Sequence, residues 1–371
     1  MSSKGSSAFF TDQALRLALS CIGNTQPNPA VSCILTDANQ NILGQGHTQQ
    51  AGGPHAEIMA LRDAAAKGHS VAGCTAFVTL EPCSHHGRTG PCCDALIAAG
   101  VKKVVASIAD PNPQVAGQGF ARLRAAGIEV EVGPGAAESR ELNIGFFSRM
   151  IRKTPWVRMK VAASLDGQTA LLNGQSQWIT GEAARADGHT WRARSSAVLT
   201  GIGTVLADNP RLDVRLVETT RQPHVVIVDS NLETPLDAHI LGAGRARFIY
   251  AAARNDAKKA ALEALGATVI YMPGENDKVD LPAMLRDLAK HEINELHVEA
   301  GHKLNGSFIR EGLVDELLLY MAPKLLGSGQ GMASFGSLHS LSDAVQLQFM
   351  SAEMVGDDLR IRARVAGRDQ F

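Results

Sequence analysis

Pro54-His55-Ala56-Glu57 and, further along, Glu81-Pro82-Cys83-Ser84-His85-His86-Gly87-Arg88-Thr89-Gly90-Pro91-Cys92-Cys93 decide how this chain is read. Residues 58–67 between them pattern as a helix and residues 74–80 as a strand. One imidazole, two thiols and a carboxylate therefore converge on a helix–strand–turn unit. Residues two apart on a regular helix point about 200° from one another, so His55 and Glu57 share a cavity only at a helix entry. Pro54 suits a first-turn position, and Cys92 opens the next helix. Two helix N-termini then face one point, where their positive ends favour thiolate over thiol. The set suits Zn²⁺, one per chain, with one position left open for water. From the residues alone a structural zinc, with Cys93, His85 or His86 as fourth ligand, stays open. Glu57 separates the two readings, because a structural site needs no free carboxylate beside the metal.

Upstream, residues 11–22 form a helical pattern in which Leu15, Ala18, Leu19 and Ile22 recur on one face. Gln26-Pro27-Asn28-Pro29 breaks it, and residues 31–35 and 41–47 read as a hairpin. Downstream come a helix at 92–99, strands at 103–108 and 128–132, and helices at 119–126 and 136–150. Strands alternating with helices predict an α/β layer with a largely parallel sheet. Arg152-Lys153-Thr154-Pro155 is the expected linker, giving domains 1–150 and 151–371. A second α/β pattern then starts, with strands at 156–163, 196–200, 224–229, 247–251, 268–272 and 295–299. Helices are expected at 182–194, 256–265, 281–291 and 304–311, then a strand at 316–321 with an antiparallel partner at 359–365. An exposed sheet edge at 316–321 leaves a homodimer or higher homo-oligomer open.

A chain of 371 residues exceeds one ordinary core, which agrees with two domains. With 45% hydrophobic and 20% charged residues, the composition is that of a soluble globular protein. A formal charge of −1 and 5% aromatics argue against a nucleic-acid surface and its stacking residues. All six cysteines fall within residues 21–93, which favours reduced thiols over a disulfide framework. No apolar signal core follows Met1, and no apolar run approaches the roughly 20 residues of a membrane span. A cytoplasmic enzyme without a membrane partner is the expectation.

In zinc nucleobase deaminases a His and two Cys hold the metal while a Glu that is not a ligand moves protons. Those enzymes usually close with Pro-Cys-x-x-Cys, whereas eight residues separate Cys83 from Cys92 here. The longer loop and Gln26-Pro27-Asn28-Pro29-Ala30-Val31 resemble the bifunctional riboflavin-biosynthesis deaminase–reductases. Met159-Lys160-Val161-Ala162-Ala163-Ser164-Leu165-Asp166-Gly167, Gln177-Trp178-Ile179-Thr180, Thr204-Val205-Leu206-Ala207-Asp208-Asn209-Pro210 and Glu299-Ala300-Gly301 extend the likeness over nearly the whole chain. Two positions depart from it: Ser32 stands where Gly is common, and Gly90 where Pro is usual. The resemblance selects Cys92 over Cys93 by its spacing from Cys83.

That resemblance implies a cytidine-deaminase-like α/β/α domain followed by a dihydrofolate-reductase-like α/β domain. The first would deaminate 2,5-diamino-6-ribosylamino-4(3H)-pyrimidinone 5′-phosphate, with His55, Cys83 and Cys92 on zinc and Glu57 carrying protons. The second would reduce the ribosyl group with NADPH to give 5-amino-6-ribitylamino-uracil 5′-phosphate. Asn28 is the candidate for the pyrimidine amide edge; His47, His85, His86 and Arg88 are candidates for ribose or phosphate. By matching positions Ala162, Trp178, Thr204, Asp208, Ser230 and Gly301, His302, Lys303, Leu304, Asn305, Gly306 and Ser307 would contact the cofactor. Ser176, Arg192, Leu212, Arg215 and Glu299 would contact substrate, Arg192 and Arg215 through its phosphate. Lys160 and Glu299 are candidates for protonating or polarising the opened ribosyl imine, with a purely structural Lys160–Asp166 pair as the competing reading for the lysine. Gly201-Ile202-Gly203-Thr204 and the turn from Gly301 replace the missing Gly-x-Gly-x-x-Gly fingerprint. The competing enzyme reading is a cytosine- or tRNA-type deaminase carrying an unrelated appended domain. A zinc-stapled nucleotide-binding module without turnover is the non-enzymatic one.

Overall fold

Glycine and alanine set how the first sheet closes on its motif. The computed structural model describes residues 7–85, 90–113, 115–242 and 244–371. The chain divides into two units, Met1–Arg152 and Lys153–Phe371, each with its own sheet.

In the first unit α1 (Ser7–Leu19) leads into β1 (Ser32–Thr36) and β2 (Ile42–His47), then α2 (Ala56–Ala66) and β3 (Thr75–Val78). There follow α3 (Cys92–Ala98), β4 (Lys103–Ala106), α4 (Gln118–Ala125), β5 (Glu129–Val132), α5 (Ala136–Leu142) and α6 (Ile144–Arg152). The strand order is β2-β1-β3-β4-β5. The sheet is mixed rather than largely parallel. The hairpin strands are antiparallel, as a short turn requires, and β3, β4 and β5 run parallel.

Helix α2 buries Ala56, Glu57, Ala60 and Ala64. A Cβ on Gly44 would stand 2.4 Å from the Ala60 carbonyl oxygen, and one on Gly46 2.5 Å from the Ala60 nitrogen. Only glycine on β2 lets the helix approach this closely, and that approach sets the position of the His55–Glu57 entry. The expected single helix at 136–150 is two helices parted at Asn143. The Asn143 side chain accepts from the Ala30 amide at 2.8 Å and donates to the Ala30 carbonyl at 3.0 Å, holding the loop after Asn28. Ser32 is fully buried, its hydroxyl donating to the Ala14 carbonyl of α1, so this departure from glycine is satisfied. A Cβ on Gly90 would meet nothing within 4 Å.

The second unit contains β6 (Trp156–Ser164), β7 (Gln168–Leu171), α7 (Glu182–Arg194), β8 (Ala197–Gly201), α8 (Ile202–Asp208) and β9 (His224–Val228). It continues with β10 (Arg247–Ala251), α9 (Asp256–Ala264), β11 (Thr268–Tyr271), α10 (Leu281–Lys290), β12 (Glu295–Val298) and α11 (His302–Arg310). Last come β13 (Glu316–Ala322), β14 (Gly329–Gly331), β15 (Leu347–Val355) and β16 (Asp358–Val365). The large sheet has the order β11-β10-β9-β8-β12-β6-β13-β16-β15, parallel as far as β13 and antiparallel beyond it. Consecutive residues Val225, Val226 and Ile227 of β9 are all buried, as a strand covered on both faces requires.

The expected edge at 316–321 is corrected here: β13 lies between β6 and β16, and the outer strand on that side is β15. Leu347, Phe349 and Met354 of β15 are exposed. Leu347 and Phe349 occupy odd sequence positions and Met350 and Met354 even ones, so the hydrophobic pattern gave no alternating strand signal there.

At the amino-terminal ends of β6 and β12 lies a buried ionic cluster. Arg158 donates to Glu295 at 2.6 Å and to Glu316 at 2.7 Å, with all three side chains at most 3% exposed. Arg194 adds to Glu295, and Arg362 and Arg364 to Glu316. The Arg158 guanidinium also stacks 4.5 Å from the Trp191 ring. These charges lie at the opposite strand ends from Glu299 and Gly301, which follow β12.

Candidate active sites

In the first unit His55 is the N-cap of α2 in extended conformation (φ −76°, ψ 168°), so its imidazole turns away from the helix. Its Nδ1 stands 3.6 Å from Cys83 Sγ and 3.4 Å from Cys92 Sγ. Ligand atoms of His55, Cys83 and Cys92 all lie within 4.8 Å of one another. The Cys92 amide at the start of α3 donates to Cys83 Sγ at 3.3 Å, stabilising anionic sulfur. Hydrogen bonds from the Cys92 thiol and from His55 draw the Cys83 thiol down to about 4. Cys92 is pushed up by the same shared hydrogen bond, and His55 is raised by its bond to Cys83. The three behave as one coupled donor set.

Glu57 is 3% exposed in the first turn of α2 and lies outside that set. Burial raises its carboxyl pKa and the Cys83 charge adds to the rise. Cys93 points elsewhere: its Sγ donates to the Pro82 carbonyl at 3.2 Å and approaches that of Gly119 at 3.5 Å. Burial pushes its thiol up to about 12.

Two carboxylates of this region escaped the sequence reading. Glu81 accepts from the amides of Gly119 at 2.9 Å and Phe120 at 3.3 Å with one oxygen, and from Asp110 at 3.1 Å and Gly117 at 2.9 Å with the other. It thereby ties Glu81-Pro82-Cys83 to the start of α4. A Cβ on Gly119 would lie 2.1 Å from the Pro82 oxygen, so this docking demands glycine. Asp110, beyond β4, is raised to about 7 by burial, with Glu81 and Cys83 adding. A carboxylate just past the end of a parallel strand was the signal available for it.

Asn28 is partly exposed, and its backbone exchanges hydrogen bonds with Thr25. His47 ends β2 with Nδ1 3.1 Å from the Thr48 carbonyl. His85 is exposed, and His86 and Arg88 lie outside the described residues.

In the second unit the candidates gather at the carboxyl ends of the parallel strands, where open α/β sheets bind ligands. A Cβ on Gly201 would stand 3.0 Å from Leu304, and one on Gly301 3.9 Å from Thr204 Oγ1, so the turns after β8 and β12 are neighbours. Gly301 caps α11 without a side chain, leaving the first-turn amides of His302 and Lys303 open. The helix begins at His302 rather than 304, so most of this strand-to-helix turn is already helix. Asn305 and Gly306 face inward instead: Asn305 Nδ2 donates to the Met332 carbonyl at 3.0 Å, and a Cβ on Gly306 would collide with Ser334 at 1.8 Å. Ser307 bonds within α11. Ser230 follows β9, Ala162 is on β6, Asp208 ends α8 exposed, and Ser176 is half-buried within the otherwise exposed residues 172–178 after β7. Trp178 is 63% exposed, with the Arg185 guanidinium 4.6 Å over its ring and its carbonyl accepting from Lys324.

Glu299 is the hub of this cluster. Arg192 grips both its oxygens, at 2.5 and 2.9 Å. Lys160 Nζ is 3.9 Å from Glu299, and His297 Nε2 is 3.4 Å away. Although burial opposes it, the Arg192 guanidinium holds the Glu299 carboxyl well below its usual range. Burial lowers Lys160, whose ammonium also stands 5.9 Å over the Tyr320 ring. The alternative partner Asp166 bonds instead to Ser164 and the amides of Leu326 and Gly327. Arg215 is half exposed and pairs with Asp213 at 2.5 Å. The Leu212 side chain is buried in the core with Val205, Leu232 and Ile240, and its carbonyl accepts from Arg245 at 2.7 Å.

Residues 155–361 match the family model for the RibD C-terminal domain, which covers more than half the chain. The chain belongs to the RibD family. Residues 5–108 match the cytidine and deoxycytidylate deaminase zinc-binding region. The riboflavin biosynthesis protein RibD of Escherichia coli (strain K12) is 45% identical, over 95% of this chain and 97% of its own length. That of Aquifex aeolicus is 40% identical over 94% and 95%. Among solved structures, Acinetobacter baumannii RibD matches with a TM-score of 0.88 at 38% identity, covering 97% of this chain and 99% of that one. A Thermotoga maritima diaminohydroxyphosphoribosylaminopyrimidine deaminase/5-amino-6-(5-phosphoribosylamino)uracil reductase matches at 0.86 and 31%, with the same coverage.

The chain is thus a bifunctional riboflavin-biosynthesis enzyme with a deaminase domain followed by a RibD reductase domain. An unrelated appended domain, as the tRNA-type alternative required, is thereby ruled out. No helix among the described residues is long and apolar enough to cross a membrane.

Proposed function

We propose that the two units, divided near residue 150, catalyse successive steps on one phosphorylated pyrimidine. The first removes the amine of 2,5-diamino-6-ribosylamino-4(3H)-pyrimidinone 5′-phosphate as ammonia. The second reduces the ribosyl group of the product to give 5-amino-6-ribitylamino-uracil 5′-phosphate. What carries this reading is the convergence of His55, Cys83 and Cys92 within 4.8 Å, with a buried carboxyl beside them that is not part of the set.

One imidazole and two thiols fit a single zinc with a fourth position open. Zinc held there would supply Lewis acidity that makes water a nucleophile near neutral pH. Glu57, desolvated in the first turn of α2, takes one proton from the attacking water and gives it to the ring nitrogen, then moves the remaining hydroxyl proton to the departing amine as the carbonyl forms. Asn28 offers both a donor and an acceptor to the amide edge of the ring.

The uncapped start of α11 beside Gly201 and Thr204 fits the pyrophosphate of a dinucleotide. NADPH bound along these strand ends would supply the hydride. Glu299 stays ionised under Arg192 and is therefore a charge clamp rather than an acid. Lys160, its pKa lowered by burial, is the group that gives a proton to the opened imine. Arg192 is engaged by Glu299, so Arg215 is the freer phosphate ligand.

The test supplies the diaminopyrimidine ribosyl phosphate with and without NADPH and identifies products by mass, with metal analysis of the purified chain. About one zinc per chain, the deaminated product alone without NADPH, and the ribityl product with it are expected. A metal-free yet fully active deaminase would end the zinc reading.

A further inference from the structure

Residues 211–215 belong to no helix or strand, yet side chains from other parts of the unit catch their main chain one residue after another. Arg245 donates to the carbonyls of Arg211 and, at 2.7 Å, of Leu212. Arg192 donates to the Asp213 carbonyl at 3.0 Å. Gln222 pairs with both main-chain groups of Val214, accepting from its amide at 2.7 Å and donating to its carbonyl at 2.9 Å. The Arg215 amide donates to His189 Nδ1 at 3.1 Å. Buried Leu212 and Val214 anchor the segment from below, while Arg215 and Asp213 turn outward as an ion pair. Main-chain groups away from water need partners, and here side chains do what a neighbouring strand does elsewhere.

We propose that residues 211–215 form a preorganised loop for the phosphorylated pentose, and that Gln222, His189 and Arg245 are its positioning residues. This rests on the reductase reading above and adds the residues that fix its substrate end. The physical rationale is entropic. A free coil carrying Arg215 would have to be ordered at each binding event, whereas a coil already tied at five consecutive residues binds without that cost. His189 acts only as an acceptor, and Asn with Oδ1 in the place of Nδ1 replaces it in kind. Gln222 acts as acceptor and donor, which neither Leu nor Glu reproduces.

The test begins with hydrogen exchange on the full-length wild type. The amides of Val214 and Arg215 are expected to exchange slowly despite lying in coil, and to become fast in Gln222→Leu and His189→Leu respectively. Fast exchange of both in the wild type overturns the proposal without reference to catalysis. Steady-state reduction is then measured with NADPH and the deaminated ribosylaminouracil phosphate. Gln222→Leu and His189→Leu should raise KM for this substrate about tenfold, equivalent to one 1.4 kcal/mol step. Their kcat and NADPH KM should stay within about twofold, as loss of uniform binding predicts. His189→Asn should return KM to near the wild-type value. An unchanged substrate KM, or no recovery in His189→Asn, sinks the proposal. So does a parallel fall of kcat and both affinities with lowered thermal stability, which marks a merely structural role. If Gln222→Leu does not fold, Gln222→Glu supplies the same readouts. A wild type inactive on this substrate but slow to exchange at Val214 and Arg215 would instead count against the reductase reading.

Discussion

In the first unit the proposed metal donors and the proposed proton carrier all come from one passage of chain, residues 55–92, running helix–strand–helix. In the second, Lys160 comes from β6, Arg192 from α7 and Glu299 from just past β12, and the loop at 211–215 supplies Arg215. The first site gathers thiols and an imidazole that converge on one point. The second cancels buried charges against one another, Glu299 against Arg192 and Lys160, before any ligand arrives. Local assembly concentrates function in single residues, while dispersed assembly spreads it over a mutually supporting network. The two should therefore respond differently to substitution.

The largest expected effect is at Glu57. Glu57→Gln keeps the size of the side chain and lies outside the donor set, so zinc content should persist. Ammonia release should fall about 1,000-fold, within the usual range for general acid–base catalysis. NADPH oxidation with the deaminated product should be unchanged, and its loss would break the separation of the two sites. Substantial remaining deamination would remove Glu57 from its role.

Next in size is Arg158→Met. It leaves Glu295 and Glu316 buried with only Arg194, Arg362 and Arg364 against them. Breaking a buried pair by deleting one partner costs about 3–5 kcal/mol. Urea unfolding of the second unit should show a loss of that order while ammonia release survives. A loss below about 1 kcal/mol, the level of a surface pair, would show that the remaining arginines suffice.

Glu299→Gln tests the smaller cluster, to which the proposed reductase chemistry is assigned. It removes the charge that Arg192 and Lys160 face, and truncating a buried charge pair costs about 2 kcal/mol or more. Reductase kcat/KM should fall about 30-fold, with deamination untouched. An unaltered rate would mean that the clamp on Glu299 is structural.

The same contrast explains what was legible before any fold was known. His55, Glu57, Cys83 and Cys92 could be grouped because helix and strand periodicities place both ends of one short passage. The strand–helix alternation of both halves was readable for the same reason. Arg158, His189, Gln222 and Arg245 carried no such mark. An arginine at full burial reads as a surface residue until its two carboxylates arrive from strands far along the chain. Gln222 and His189 act on the main chain of residues 214 and 215, and a bond to backbone imposes no residue type on its partner. The strand at 347–355 escaped because its apolar residues, Leu347 and Phe349 against Met350 and Met354, fall at both odd and even positions and leave no alternation to read. Asn143 broke an expected helix because its amide serves the loop at Ala30, a need invisible within its own helix pattern.

The smallest expected effect concerns acid stability and sharpens the comparison by sign. In the second unit His189 is lowered to about 4 by burial, with Arg192 and Arg215 adding; Glu299 and Asp213 oppose the shift. Burial likewise lowers His224 and His297. A lowered histidine contributes stability that is complete above its unfolded value of about 6.5 and is lost as pH falls through the folded value. The depressed carboxylates Glu295, Glu299 and Glu316 also contribute stability that acid removes, but only below their unfolded value of about 4.5. From pH 6.5 to 4.5 the histidines therefore remove stability while those depressed carboxylates do not yet act, and Glu311, raised by burial, opposes the loss as it protonates. The urea midpoint of the second unit should decline across this window, and His189→Asn, which cannot titrate there, should flatten part of that decline. A profile level to pH 4.5, falling only below it, would assign the acid sensitivity of this unit wholly to its carboxylates.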